Sequence, residues 1–276
     1  MNGQANNGQL PATWGSEHEG RLTALHEIVT QAGQSTLSLF GDPSLHVDAK
    51  SDDSPVTVAD RGAEKLAREL ITAAFPKDTV QGEEFAEHSG ESSYRWVIDP
   101  IDGTKSFICG VPLYSTLLAL ECDGEPVAGA IYIPALGEML LAALGQGCWY
   151  QPSAGADWSA ARVSTRDSLD QAVFLTSQVD SFDERGDAGA YQALQSACRL
   201  SRSWGDGYGY LLVATGRADI MVDPICNAWD VAAMLPIVQE AGGRFTDWKG
   251  NATVRGGDGV GSNGLLHQSA LDLLGG

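Results

Sequence analysis

The sequence predicts an α+β fold in which mixed β-sheets pack against helices, and three observations support this. Segments of strand and helix character alternate in the second half without the repeat of about 30 residues that a βαβ unit needs. The middle of the chain is rich in strands at hairpin spacing. No GxGxxG motif follows a first strand and no GxxxxGK(S/T) motif occurs. Nucleotide-binding α/β folds therefore have no support.

The N-terminal part predicts two helices before the first long strand. Apolar residues recur at helical spacing over residues 17–39, which predicts the first helix. Asp60 stands where an N-cap residue would begin a second helix, which ends before Pro76. From Tyr94 onwards the composition is that of a strand, and Pro100 is expected to end its ladder.

A row of strands and then a mixture of elements fill the rest of the chain. Strands are predicted over residues 113–121, 127–135, 138–144, 148–151, 172–178 and 218–223. Helices are predicted over residues 189–198, 208–216 and 230–243, followed by a final strand and helix. Pro236 lies inside the third of these helices and is expected to kink it.

A loop at residues 152–161 is the expected boundary between two halves. The N-terminal half spans residues 17–152 and the C-terminal half spans residues 160–276. Residues 1–16, rich in Asn, Gly and Gln, are expected to form a flexible extension. The five histidines lie outside the motifs described below and are predicted to be surface or loop residues.

The charge balance excludes a general nucleic-acid binder. The chain carries 36 acidic and 17 basic side chains, a formal net charge of −19, whereas affinity for a polyanion comes from Lys and Arg. Apolar residues make up 43% of the chain, enough for a buried core. No apolar run approaches the roughly 20 residues of a membrane span, and the N-terminus lacks a signal-peptide pattern. We expect a cytoplasmic protein that binds no membrane.

Acidic residues cluster where the first long strand ends. Asp99 and Asp102 would emerge together there, and two such carboxylates repel each other unless a cation lies between them. Oxygen ligands without nearby His or Cys favour Mg²⁺. Gly103 and Thr104 follow, and amides at a short helical turn suit a phosphate oxygen. Taken alone, however, Asp-Pro and Asp-Gly are equally ordinary turn formers.

Further motifs identify a family. GEE at 82–84, DPIDGT at 99–104, NAWDVA at 227–232 with EAGG at 240–243, and VTVAD at 56–60 resemble the inositol-monophosphatase family of Mg²⁺-dependent, Li⁺-sensitive phosphatases. The segments around residues 102–120 and 201–224 look closest to its histidinol-phosphate phosphatases. Inositol-type members more usually have Asn where Ser106 stands. The resemblance implies a layered α/β/α/β/α sandwich with mixed sheets and a homodimer.

The resemblance also implies roles for individual residues. Glu83, Asp99, Asp102, Asp230 and the Ile101 carbonyl would bind two to three Mg²⁺ ions, and Asp60 would complete the acidic cup. Either Glu83, or Thr104 polarised by Asp60, would activate water. Amides of Gly103, Thr104 and Lys105 would hold the phosphate, although the Lys105 side chain can equally be a solvated cation. Asp223, Asn227 and Asp206 are candidates for contact with the alcohol portion of the substrate.

Two of these residues also have ordinary structural explanations. Asp230 on its own is typical of an acid at a helix start beside a buried Trp, and its position ahead of EAGG favours the metal role. Asp206 lies between glycines that could simply begin a helix. The leading hypothesis is a histidinol-phosphate phosphatase acting on a small phosphomonoester. An inositol-1-phosphate or broader sugar-phosphate phosphatase is the alternative, and a non-catalytic metal- or phosphate-binding protein is a third.

Overall fold

Helices and sheets alternate in five layers, which confirms the predicted α+β sandwich. The computed structural model describes Leu10, Trp14, residues 18–49 and residues 55–275. Within that part the helices are α1 (Arg21–Thr36), α2 (Val58–Ala74), α3 (Thr104–Ile108), α4 (Ser181–Arg185), α5 (Ala188–Ala197), α6 (Gly207–Ala214), α7 (Ala228–Val231), α8 (Met234–Glu240) and α9 (His267–Leu273).

The strands of the described residues form one large sheet, one smaller sheet and a two-stranded ribbon. They are β1 (Val47–Ala49), β2 (Pro55–Thr57), β3 (Thr79–Gly82), β4 (Tyr94–Asp102), β5 (Ser115–Cys122), β6 (Glu125–Ile133), β7 (Glu138–Ala143), β8 (Gly147–Gln151), β9 (Ser159–Ala160), β10 (Val173–Thr176), β11 (Leu200–Arg202), β12 (Ile220–Asp223), β13 (Arg244–Thr246) and β14 (Gly259–Ser262).

The large sheet contains β3 to β9 in chain order. Its first pair, β3 and β4, is parallel, and the following pairs are antiparallel, as hairpin spacing predicts. Side chains alternate between its faces. Trp96 and Ile98 of β4 pack towards α1 and α2, whereas Val97 packs towards α6 and α8. The strand β9 lies inside the segment predicted as the loop between the halves.

The smaller sheet has the order β11-β10-β12-β14-β13. Strands β11, β10 and β12 are parallel, while β14 runs antiparallel to both β12 and β13. Helices α6 and α8 lie between the two sheets and contact both, and α5 and α9 cover the outer face of the smaller sheet. The carboxyl ends of β10 and β12 point to the same edge, which forms one wall of the site described below.

Several local predictions are wrong in detail. The helix expected over 230–243 is two helices, α7 and α8, and the break precedes Pro236. Pro236 occupies the first turn of α8, where a missing N–H removes no helical hydrogen bond. The first helix ends at Thr36 rather than residue 39. His267 is fully buried, with its ring nitrogens 2.8 Å from Thr246 Oγ1 and Ser262 Oγ.

The N-terminal extension predicted for residues 1–16 lies outside the described residues, apart from Leu10 and Trp14. Trp14 is buried, and its indole N–H donates a hydrogen bond to the Leu22 carbonyl of α1 at 3.1 Å. Among the residues that the structure describes, no helix has both the length and the apolar character needed to cross a bilayer.

Candidate active site

The start of α2 supplies the first acid of the site. The prediction that Asp60 is the N-cap residue of this helix is wrong. Thr57 is the N-cap residue, and Asp60 is the third helical residue, which completes a capping box. Its Oδ2 accepts hydrogen bonds from the Thr57 amide at 2.8 Å and the Thr57 hydroxyl at 2.6 Å. The fully buried Asp60 therefore turns Oδ1 towards the Thr104 hydroxyl, 3.3 Å away.

The end of β4 supplies two more acids of the site, Asp99 and Asp102. The prediction that this strand ends at Pro100 is wrong. The strand continues to Asp102, with an irregular register after Asp99. The last residue of β4 that pairs with β3 is Ile98, so the missing N–H of Pro100 leaves no ladder bond unmade on that side. The irregularity turns the Asp99 and Asp102 carboxylates towards the same region, and both residues are buried.

A third carboxylate reaches this region from α7. One oxygen each of Asp99, Asp102 and Asp230 lies within 4.8 Å of the others. The Asn227 amide donates to Asp230 Oδ2 at 2.6 Å, which orients the side chain at the helix start. Asp102 Oδ2 accepts hydrogen bonds from the Ser115 hydroxyl at 2.6 Å and from the Gly207 amide.

The three carboxyl groups are electrostatically frustrated without a cation. Burial raises the pKa of Asp99 and Asp102 well above the ordinary value; Glu83 raises that of Asp99 further, Asp206 raises that of Asp102, and Asp230 raises both. Burial likewise raises the pKa of Asp230 to about 7. A cation bound among them would reverse these shifts. Because the donors are all carboxylate oxygens, the cluster fits a hard divalent ion such as Mg²⁺.

A tight turn leads from β4 into α3. Gly103 adopts φ of 83°, a conformation that glycine tolerates best. The Thr104 hydroxyl at the start of α3 lies 3.1 Å from the Ile101 carbonyl oxygen as well as near Asp60. Lys105 is exposed, and its ammonium group donates a hydrogen bond to the Gln178 side chain. This contact joins the turn to the C-terminal half of the chain.

The C-terminal half contributes a second acidic group. Asp223, at the carboxyl end of β12, accepts hydrogen bonds from Ser177 Oγ at 2.5 Å and Tyr210 Oη at 2.7 Å. Burial raises its pKa to about 6, and nearby Asp206 opposes its ionisation. Asp206 is both the N-cap residue of α6 and a half-buried acid of the site; burial raises its pKa while Ser177 and Lys105 lower it.

These groups meet in a cavity of about 360 Å³. Most of the side chains singled out from the sequence line it, and Asp60, Asp99 and Ile101 lie behind its wall. The predicted residues on the lining are Glu83, Asp102, Gly103, Thr104, Lys105, Asp206, Asp223, Asn227 and Asp230.

Sequence reasoning missed several residues that shape the cavity. Ser177 and Tyr210 hold Asp223, and Glu184 of α4 stands on the lining. Ser177 follows β10 directly, just as Asp223 ends the parallel strand β12, so the rule that ligands bind at the carboxyl ends of parallel strands would have indicated it. Tyr210 and Glu184 carry no comparable signal in the sequence.

Comparison with known proteins agrees with this geometry. A model described as the inositol monophosphatase family matches residues 18–274. A histidinol-phosphatase of Chlorobaculum parvum is 44% identical over 255 residues, covering 90% of this chain and 94% of that protein. A histidinol-phosphatase of Mycobacterium tuberculosis is 37% identical over 257 residues, covering 93% and 98%. The crystal structure of the extragenic suppressor protein SuhB from Bartonella henselae matches with a TM-score of 0.85 and 28% identity, covering 93% and 98%.

Proposed function

We propose that this chain, which belongs to the inositol monophosphatase family, is a Mg²⁺-dependent phosphomonoesterase that hydrolyses histidinol phosphate to histidinol and inorganic phosphate. One observation carries the proposal: a single cavity joins a metal-binding group of carboxylates, a Gly-Thr turn and a second pair of acids. Metal-assisted phosphoester hydrolysis needs the first two, and a cationic leaving alcohol explains the third. Relatives named histidinol-phosphatase support this substrate.

The metal would be held by the carboxylates of Asp99, Asp102, Asp230 and Glu83, with the Ile101 carbonyl as a further ligand. Two to three Mg²⁺ ions are proposed, in keeping with the number of acids around the cavity. The chemistry supplied by bound Mg²⁺ is neutralisation of charge on the phosphoryl and leaving oxygens and a lowered pKa for water.

Two arrangements of the chain's own residues could take a proton from the attacking water. In the first, the Thr104 hydroxyl donates a hydrogen bond to Asp60 Oδ1. Thr104 Oγ1 would accept a proton from the attacking water while its own proton passes to the Asp60 carboxylate. Asp60 remains fixed because its other oxygen is held by Thr57. In the second, the Glu83 carboxylate on the cavity lining accepts the proton directly. Parallel pH profiles of Thr104→Ala and Glu83→Gln would separate the two.

The phosphate group would bind to the backbone amides of Gly103, Thr104 and Lys105. Gly103, Thr104 and Lys105 line the cavity beside Asp102, so a phosphoryl group bound to this turn would lie next to the metal ligands. Gly103 is the N-cap residue of α3 and has a left-handed conformation, so the chain turns sharply from β4 into this helix. The Lys105 side chain, held by Gln178, contributes a positive charge at the rim.

The alcohol portion of the substrate would contact Asp206, Asp223 and Asn227. Asp223 is buried and Asp206 is half-buried, and both carboxylates lie near the Ser177 hydroxyl, which has one hydrogen and donates it to Asp223. The negative charge of Asp206 opposes the ionisation of Asp223, so an ammonium or imidazolium group beside the two acids would supply both hydrogen bonds and a balancing charge. Inositol would supply hydroxyl hydrogens but no positive charge.

The proposal includes a cytoplasmic homodimer, on the grounds of the sequence features and the family resemblance. Sedimentation equilibrium of the purified chain tests the dimer directly, with twice the chain mass of 29.1 kDa expected.

Release of inorganic phosphate from histidinol phosphate tests the activity itself. We expect turnover with MgCl₂, loss of turnover with excess EDTA and recovery when MgCl₂ is restored. A protein that binds Mg²⁺ and phosphate but releases no phosphate from either histidinol phosphate or inositol-1-phosphate would be the non-catalytic alternative. Turnover of inositol-1-phosphate alone would favour the second phosphatase hypothesis.

A further inference from the structure

One face of α2 carries three charged side chains at intervals of four residues: Asp60, Glu64 and Arg68. This spacing aligns them along a single side of the helix. Asp60 at the first turn contacts Thr104, as described above. The next two side chains contact the segment 80–85, which includes Glu83. One helix thus contacts both Thr104 and the segment that carries Glu83, the two candidates to activate water.

Glu64 fills the space beneath that segment. Its side chain is fully buried, and Oε2 accepts a hydrogen bond from the Glu84 amide at 2.7 Å. A Cβ atom at position 82 would lie 2.1 Å from Glu64 Oε1, so the carboxylate fits only because residue 82 is Gly. The peptide that joins Glu83 to Glu84 is therefore held by a buried carboxylate that packs closely against Gly82.

Arg68 supports the same segment from both ends. Its Nε donates to Glu64 Oε1 at 2.7 Å, which balances the buried negative charge. Its other nitrogens donate to the Val80 carbonyl at 3.3 Å and the Phe85 carbonyl at 3.0 Å. Three hydrogen bonds from this pair, together with the contact at Gly82, fix the backbone on either side of Glu83.

We propose that Glu64 and Arg68 are positioning residues that set the affinity of the site for Mg²⁺ by fixing the backbone of Glu83. This role presupposes the proposed function to the extent that Glu83 is a metal ligand. Neither side chain is on the lining of the cavity, and both act through the 80–85 segment. Residues that orient metal ligands in this way typically change metal affinity by about 10- to 100-fold when replaced.

The test compares Glu64→Gln with Glu69→Gln, a matched change one turn further along α2. Glu69 is exposed and faces Lys65 at 4.0 Å, so its replacement alters the helix charge equally and leaves the hydrogen bonds of Glu64 and Arg68 to the 80–85 segment in place. Isothermal titration calorimetry with MgCl₂ and no substrate gives the dissociation constant. We expect at least about tenfold weaker binding for Glu64→Gln, and binding within twofold of wild type for Glu69→Gln.

A structural readout accompanies the binding measurement. Hydrogen exchange of residues 80–85 should become faster in Glu64→Gln while the exchange of β5 and β6 stays unchanged, because the loss is local. Folded Glu64→Gln with a Mg²⁺ dissociation constant within twofold of wild type would overturn the proposal.

Arg68→Lys decides the matter if Glu64→Gln fails to fold. Lysine keeps the positive charge beside Glu64 but lacks the planar guanidinium fork with which Arg68 reaches Glu64, Val80 and Phe85 from three different nitrogens. Weaker Mg²⁺ binding therefore supports the proposal and unchanged binding overturns it. Because no substrate is present, these results are separate from the fate of the proposed function. A wild-type protein that binds Mg²⁺ but does not cleave histidinol phosphate overturns the function alone, and one that binds no Mg²⁺ overturns both.

Discussion

The Asp206 carboxylate lies directly against Gly103: a Cβ atom at position 103 would be 2.6 Å from Asp206 Oδ2. The contact brings an acid of the C-terminal half onto the turn that would bind phosphate in the N-terminal half. A side chain at position 103 would have to push these two parts of the site away from each other.

Gly103→Ala is therefore expected to lose most of its activity. Alanine at φ of 83° costs about 1–2 kcal/mol, and the clash displaces either the turn or Asp206. A displacement of about 1 Å at such a site can lower the rate by about 100-fold. Gly110→Ala is the matched control, since Gly110 also has positive φ but no atom within 4 Å of an added Cβ. Equal kcat/KM values for the two variants would contradict the role given to this contact.

Asp99→Asn should abolish Mg²⁺-dependent phosphate release and leave the fold intact. Loss of a metal ligand removes several kcal/mol of charge stabilisation, a rate loss on the order of 10³-fold. In EDTA the variant should have a Tm at least equal to that of wild type, because Asp99 is a buried acid crowded by Glu83, Asp102 and Asp230. Near-normal turnover, or a strongly lowered Tm, would refute the assignment.

The acids of the site could be found from the sequence because they stand in short motifs at recognisable places. Asp99 and Asp102 follow an apolar strand, and Asp230 stands at a helix start ahead of a glycine pair. Less of the local backbone could be predicted. Propensity places a strand end at Pro100, but pairing with β5 resumes at Asp102, and the Pro100 carbonyl accepts a hydrogen bond from Thr116 at 2.8 Å. Such contacts between distant segments leave no periodic pattern.

The same limit explains what the sequence did not indicate. Ser177 and Tyr210 matter because β10, β12 and α6 meet at Asp223, a product of tertiary packing. His267 stands at the start of a short helix, where a surface residue is expected, yet two hydroxyl groups inside the protein form hydrogen bonds with its ring nitrogens. Residues whose role depends on one or two distant partners are the ones that local pattern cannot identify.

Asp223 predicts a pH dependence of substrate binding. Its folded pKa, raised to about 6, means that it is charged above that pH and neutral below it, so a cationic alcohol loses its partner as the pH falls. The KM for histidinol phosphate should rise about tenfold between pH 7 and pH 5, since nine-tenths of such a group is protonated at pH 5. The substrate phosphate titrates in the same way with wild type and with Asp223→Asn. The ratio of the wild-type KM to the Asp223→Asn KM at each pH therefore isolates the contribution of Asp223. A ratio that is constant with pH would contradict this prediction.

His267 predicts a loss of stability in acid. Burial lowers its folded pKa from 6.5 to about 4, so between these values the unfolded chain binds a proton that the folded protein does not. The free energy of unfolding must therefore fall as the pH falls through this window, by about 2 kcal/mol between pH 7 and pH 5. Urea denaturation should show this loss in wild type and in His46→Gln, whose histidine is exposed, but not in His267→Gln. The same loss in His267→Gln would show that other groups cause it.

The substrate of this enzyme is decided by the ratio of kcat/KM for histidinol phosphate to that for inositol-1-phosphate, measured side by side at pH 7.5 with saturating MgCl₂. Coupling between close opposite charges is worth about 1.5–7 kcal/mol, and inositol offers these two acids no charge, so they should favour histidinol phosphate by about tenfold or more. A ratio of one, or a preference for inositol-1-phosphate, would contradict the proposed function.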